Sequence, residues 1–380
     1  MKRIPLFLTI FFVFVSAVAA QTEQVASVAH YVHKINSKFV GEERTVLVRV
    51  PLAYRQQPTS RFPVLYMLDA HPPQNAMMAG IVEQQAWGDK IPEMIIVGIQ
   101  NTNRTRDMTP TATEIAGSGG AEKFLDFIEK ELIPMVEQNY RTQPYRIFAG
   151  HSLGGLLAIH TLVTRPQMFN AYIAASPVLN WDKDIVIKCA EQEFKKKAAG
   201  KRTVFVALGN EPEYQSGCDS FRDLVKRSKP DGLDIEFQQF KDESHGSVVL
   251  PAYFGGLRKI YDGWSVSAGS VAELEGHYKK LTERFGYRIS VPEQTMNLAA
   301  YQLLRANRIG EAINAFKRNT ENYPDSANTF DSLAEAYEKD GQTKKALESY
   351  ERAYKMAEKL GDNRLAASAK ANFERISKKN

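Results

Sequence analysis

Cysteine is nearly absent from this chain: Cys189 and Cys218 are the only two among 380 residues. A scaffold stapled by several disulfides is therefore excluded. The chain also lacks a marked excess of either charge. It has 49 Lys and Arg against 44 Asp and Glu, and the formal charge of +5 falls to +3 without Lys2 and Arg3. So small and scattered an imbalance leaves no electrostatic footprint for nucleic acid, and the run Lys195-Lys196-Lys197 reads as a solvated helix face. Beyond the N-terminus no apolar run is long enough to span a bilayer. With 43% hydrophobic residues there is still ample apolar material for a packed core, which excludes disorder over most of the length.

At the N-terminus, Lys2 and Arg3 precede the almost purely apolar stretch Ile4 to Val15, and small residues follow at Ala17, Ala19 and Ala20. That order is the pattern of a secretory signal, expected to be cleaved after Ala19 or Ala20. The stretch is shorter than the ~20 residues a spanning helix needs. The mature protein is thus expected to be exported without a membrane span, secreted or, in a host with two membranes, periplasmic. Such a compartment permits a Cys189–Cys218 disulfide, and leaves two free thiols equally open.

From Tyr31 to about Trp264, short apolar strands alternate with amphipathic helices. Thr45–Val50 alternates like a half-exposed strand, whereas Val64–Leu68, Met94–Ile99 and Arg146–Ala149 are nearly continuously apolar, as central parallel strands should be. Ala171–Ala175, Thr203–Leu208 and Ile235–Phe240 continue the series, with helices expected at Ala121–Asn139, Leu153–Val163 and Phe221–Arg227. This grammar predicts an α/β fold, a mostly parallel sheet with helices on both faces.

After Trp264 the pattern changes. SVSAGSVAE is small and polar and reads as a linker, and no strand pattern follows Pro292. Ala312 and Phe316 are matched 34 residues later by Ala346 and Tyr350, and on the same register Met296 pairs with Phe330 and Leu303 with Tyr337. That period resembles the tetratricopeptide repeat, a helix–turn–helix unit. The expected organisation is a signal over 1–20, a catalytic α/β domain over 21–265, a linker over 266–291 and an all-α helical-repeat domain over 292–380. Two repeats are fewer than an independent solenoid needs, so the tail either packs on the main domain or pairs with another chain, a protein partner or a second copy.

Gly150-His151-Ser152-Leu153-Gly154-Gly155 carries the chemistry. It follows an apolar strand and precedes a helix, the context of a G-x-S-x-G nucleophile elbow, whose strained turn needs glycine neighbours. Ser152 then stands at a helix N-terminus, where developing negative charge is favoured. A serine is inert without a base. His245, in a polar loop after the last expected strand, is the best candidate. His30 and His33 fall on an outer strand, His151 is the variable position of the elbow, His160 lies along the following helix and His277 in a helix of the linker. The acid is expected after the strand Thr203–Leu208, where Glu211, Glu213 and Asp219 are available and Glu211 is nearest the strand end. For the oxyanion hole the backbone N–H of Leu153 is one candidate donor. The N–H of His71, in a loop stiffened by Pro72 and Pro73, is the other.

At these residues the sequence resembles the Putative esterase family of α/β hydrolases, which includes esterase D, ferric-enterobactin-type siderophore esterases and mycolyltransferases. The collinear segments are FPVLYMLDAH, NRTRDMTPT, KELIPMVEQNYRT, YRIFAGHSLGG, FNAYIAASPVLNWD, VALGNEPE and DESHGSVV. The resemblance implies the α/β-hydrolase fold, no metal or organic cofactor and a small-molecule ester substrate. It also implies that Arg104, in R-x-x-D-x-T-P, grips a substrate anion, with a loop salt bridge to Asp107 as the alternative. Trp181 is implied to line the acyl pocket. DAHPP stands where relatives often have DG, and some siderophore esterases resemble Ser–His dyads, which leaves the second oxyanion donor and the acid open. The expectation is an exported serine ester hydrolase acting through an acyl-enzyme on siderophore-type or other small esters. Feruloyl or acetyl esters of carbohydrate and acyl transfer are its alternatives within the class. A non-catalytic interaction protein that uses the helical tail is the alternative from another class, and the intact Ser152 and His245 count against it.

Overall fold

A computed structural model describes residues 30–196, 200–267 and 269–378. The expected signal segment, residues 1–20, lies outside the described residues. No described helix is long and apolar enough to cross a membrane.

Eight strands form one sheet: β1 (Tyr31–Asn36), β2 (Glu43–Arg49), β3 (Phe62–Met67), β4 (Ile95–Ile99), β5 (Thr142–His151), β6 (Ala171–Ala175), β7 (Arg202–Leu208) and β8 (Leu233–Gln239). Their order is β1-β2-β4-β3-β5-β6-β7-β8. β1 pairs antiparallel with β2 and β2 antiparallel with β4, while every other pair is parallel. β3, β4 and β6 are buried along their whole length, because helices cover both faces. Alternation decides which face each residue serves. Leu65 and Met67 join the cluster under helices Pro72–Trp87 and Val249–Ile260. Val64, Tyr66 and Leu68 join the opposite cluster under Ala121–Phe127, Leu153–Thr164, Ile185–Glu193 and Pro212–Ser228.

Several local expectations change. Pro72 and Pro73 do not stiffen a loop; they open the helix Pro72–Trp87, where the first-turn amides would have no intrahelical acceptor anyway. The expected helix over Ala121–Asn139 contains a π-helical turn, Ile128–Leu132, just before Pro134. Lys195 and Lys196 lie exposed in the turn after Ile185–Glu193 and are not on a helix face, and Lys197 lies outside the described residues. The permitted disulfide is not formed. Cys189 and Cys218 are both free thiols, on two different helices, and Cys218 Sγ lies 3.9 Å from the Pro177 carbonyl.

The segment read as a linker holds a helix, Val271–Phe285, opened by a capping box between Ser270 and Glu273. Its buried face, Leu274, Tyr278, Leu281 and Phe285, closes on the catalytic domain, where the Phe285 ring meets Tyr145 at 5.0 Å and Tyr261 at 5.1 Å. Helices Glu293–Arg305, Ile309–Asn322, Ala327–Lys339, Thr343–Leu360 and Asn363–Ser377 follow. Ala312 and Ala346, the positions matched across the 34-residue register, are both fully buried. The tail packs on its own chain. The apolar cluster of the catalytic domain continues without a break through Phe285, Met296 and Phe316, and Thr59 bonds Asp325 through Oγ1 at 2.6 Å.

Candidate active site

The functional side chains stand where the parallel strands end, the usual place for a site in an open α/β sheet. β5 runs out at His151 and the helix Leu153–Thr164 begins one residue beyond Ser152. Ser152 makes that turn with φ 60° and ψ −118°, a conformation that strains any residue with a side chain. Neighbouring glycines make it sterically possible. A Cβ on Gly150 would lie 2.3 Å from the Gly154 carbonyl oxygen, and one on Gly155 would lie 3.0 Å from that of Ala175. The Ser152 amide donates to the Ala175 carbonyl at 2.9 Å, tying the elbow to β6.

His245, in the loop after β8, faces Glu211 with 3.0 Å between Nδ1 and Oε2. Glu211 is 3% exposed at the end of the loop after β7. Its other oxygen accepts from Ser176 Oγ at 2.7 Å and from the Gly209 amide at 3.3 Å. A carboxylate oxygen accepts, so this contact puts the ring proton of His245 on Nδ1. Nε2 is thereby left as the basic nitrogen. Of the three carboxylates open in the sequence, only Glu211 meets the histidine. Glu213 is exposed, and Asp219 pairs with Arg222 and Gln215.

Ser152 and His245 line one cavity of about 490 Å³, together with Asp69, His71, Asn101, Arg104, His151 and Tyr253. No hydrogen bond joins Ser152 to His245 in this resting arrangement, where such contacts are often long. Leu153, first residue of its helix, has an amide with no intrahelical acceptor. The His71 amide, by contrast, is engaged with the Asp69 carbonyl at 2.8 Å and is not a free donor here. Asp69 takes φ 56°, and this tight turn brings its carbonyl back onto the amide two residues on.

Two side chains have contacts that the resemblance did not imply. Arg104 does not bridge to Asp107; it pairs with Asp69, Nε to Oδ1 at 2.7 Å and Nη2 to Oδ2 at 3.1 Å, and donates to the His151 carbonyl at 2.9 Å. Asp107 is buried on the guanidinium groups of Arg44 (2.6 Å) and Arg106 (2.7 Å), where Arg106 also holds the Glu42 carboxyl down to about 2. Trp181 is not among the cavity's lining residues. It is 9% exposed and donates from Nε1 to Thr111 Oγ1 at 3.2 Å, bracing the loop after the R-x-x-D-x-T-P segment.

The sequence reading missed Ser176, Asp69, Asn101 and the part played by His151. The His151 ring lies 4.5 Å from that of His245, and its Nε2 donates to the His245 carbonyl at 2.7 Å. Burial, then the neighbouring His245, lowers its pKa to about 4, which keeps the ring neutral. A signal existed for the other three: each is a polar residue just past the C-terminal end of an apolar strand, β3, β4 or β6. Among the described residues, no group of three or more His, Cys, Asp or Glu is placed to hold a metal ion.

A parallel sheet with a strained serine at a strand–helix turn, a histidine backed by a buried carboxylate, and all of these at the strand ends, defines an α/β hydrolase. The chain belongs to the Putative esterase family, whose model matches residues 37–247, and it is a hydrolase of that family. It is 32% identical over 238 residues to the ferri-bacillibactin esterase BesA of Bacillus subtilis, covering 55% of this chain and 82% of the relative. It is also 36% identical over 269 residues to the siderophore triacetylfusarinine C esterase of Aspergillus fumigatus, covering 59% and 90%. The crystal structure of an IroE-like serine hydrolase from Shewanella oneidensis superposes with TM-score 0.67 and 29% identity, over 73% of this chain and 95% of that one.

Proposed function

We propose that this chain is an exported serine esterase that cleaves the ester bonds of siderophore-type molecules. The observation that carries the mechanism is His245, paired with the buried Glu211, sharing a cavity with the strained Ser152. His245 Nε2 takes the proton of Ser152 Oγ as the oxygen attacks the ester carbonyl. The tetrahedral oxyanion is met by the Leu153 amide and the positive end of its helix. Collapse expels the alcohol, protonated by His245, and leaves an acyl group on Ser152. Water, deprotonated by the same nitrogen, releases the acid. Glu211 orients the ring and stabilises the imidazolium that forms twice per cycle.

The substrate class is supported by the relatives named for ferri-bacillibactin and triacetylfusarinine C. The test is a panel of those two iron complexes, feruloyl and acetyl sugar esters and p-nitrophenyl acetate, with products read by mass spectrometry. The siderophore esters should give the highest kcat/KM, and Ser152→Ala should abolish turnover of all of them. A preference for sugar esters would contradict the substrate reading, and a turning-over Ser152→Ala the mechanism. Export is tested at the N-terminus of the protein recovered from its host, expected at Ala20 or Gln21. A retained Met1–Lys2 would contradict it.

A further inference from the structure

The resemblance left Arg104 between a substrate anion and a salt bridge to Asp107, and its bonds add a third partner. Three of its N–H groups are taken up inside the protein, two by the Asp69 carboxylate and one by the His151 carbonyl. Asp69 belongs to the loop after β3, Arg104 follows β4, and His151 closes β5 immediately before Ser152. The Asp69 carboxylate also accepts from Asn101 Nδ2 at 2.6 Å. It lies so close to the nucleophile helix that a Cβ on Gly154 would come within 3.2 Å of Oδ2. His151 passes the connection on through its ring, which donates to the His245 carbonyl. One guanidinium therefore joins the loop that carries the Asp69 turn to the elbow, and through His151 to the base.

We infer that Arg104 is a positioning residue: with Asp69 it clamps the loop after β3 to the nucleophile elbow at His151 and, through the His151 ring, holds Ser152 and His245 in register. A planar fork that bonds a carboxylate with two nitrogens and still reaches a carbonyl can do this; a lysine ammonium, a single point of charge, cannot. The pair contributes little to stability. Side-chain exposures of 33% for Arg104 and 18% for Asp69 leave it partly screened by water, so its loss should appear in rate before melting temperature. Misplacing an elbow or an oxyanion donor by a fraction of an ångström is costly to kcat and nearly silent in KM.

This inference rests on Ser152 being the nucleophile, so Ser152→Ala is measured alongside. Wild type, Arg104→Ala, Arg104→Lys, Asp69→Asn and the double variant Arg104→Ala/Asp69→Asn are assayed on a neutral ester, p-nitrophenyl acetate, and an anionic one, p-nitrophenyl hemisuccinate. For a clamp, Arg104→Ala and Asp69→Asn lower kcat roughly 10- to 100-fold on both esters, with KM within about threefold. Arg104→Lys recovers little, the double variant is no worse than either single change, and the melting temperature stays within about 3 °C. The ring resonances of His151 and His245 shift in Arg104→Lys, a readout independent of turnover. A normal kcat on the neutral ester with a raised KM only for the anionic one would overturn the clamp in favour of substrate-anion binding. Full activity of Arg104→Lys on both esters with unmoved ring resonances would also overturn it. If Ser152→Ala turns over the neutral ester like wild type, the proposed function fails instead, and the resonances still decide the clamp.

Discussion

Glu211 shows how one residue's surroundings settle its role. In the sequence it was one of three acids in a single loop, separated only by nearness to a strand end. In the structure, burial and three donors make it the group that orients His245. Spacing could not reveal this, because Ser176 and His245 reach Glu211 from two other loops, 35 and 34 residues away. Glu211→Ala should therefore lower kcat by roughly 10³- to 10⁴-fold, less than the loss of Ser152 or His245. Ser176→Ala should lower it only about tenfold, since Gly209 and His245 still hold the carboxylate. Steady-state kinetics on p-nitrophenyl acetate checks both, and the reverse order would place the acid elsewhere. The strained turn at Ser152 was readable from the strand–elbow–helix context, and its φ is the one that context requires.

Among the elements, those defined by continuous apolar runs were legible and those shaped by exceptions were not. β3, β4 and β6 read directly from their hydrophobicity, because a strand buried on both faces has no polar face to confuse with a helix. The helix Pro72–Trp87 was hidden by two prolines that normally speak of loops and here occupy its first turn. The helix Val271–Phe285 was legible as part of the linker, but the small polar residues that lead into it gave no sign that it covers the catalytic domain. Phe285 is the test of that element. It is 4% exposed, with Tyr145, Tyr261 and Trp264 around its ring. Phe285→Ala should cost about 3–5 kcal/mol of unfolding free energy by denaturant titration while leaving kcat of the folded enzyme near wild type. A loss under 1 kcal/mol would mean that the helix is only loosely applied to the domain.

For the whole molecule, one apolar cluster runs from beneath the sheet into the C-terminal helices, so the two expected domains share a core. A 34-residue period in sequence announces that helices pair with each other. It carries no information about which surface the array then covers, since that is set by side chains hundreds of residues earlier, such as Thr59 on Asp325. A chain ending at residue 265 would uncover Tyr145, Tyr261 and Trp264 together. It should melt at lower temperature than the full chain and associate more readily, by calorimetry and light scattering. Equal melting temperatures would contradict the shared core.

Every residue of the mechanism converges on a covalent acyl group at Ser152, so the most direct measurement is to find it. The full-length protein, acid-quenched during steady turnover of p-nitrophenyl acetate, digested and mapped by mass spectrometry, should carry an acetyl group on Ser152. It should carry none there in Ser152→Ala, whose turnover is abolished. Turnover by the wild type with Ser152 unmodified, and undiminished in Ser152→Ala, would contradict the account.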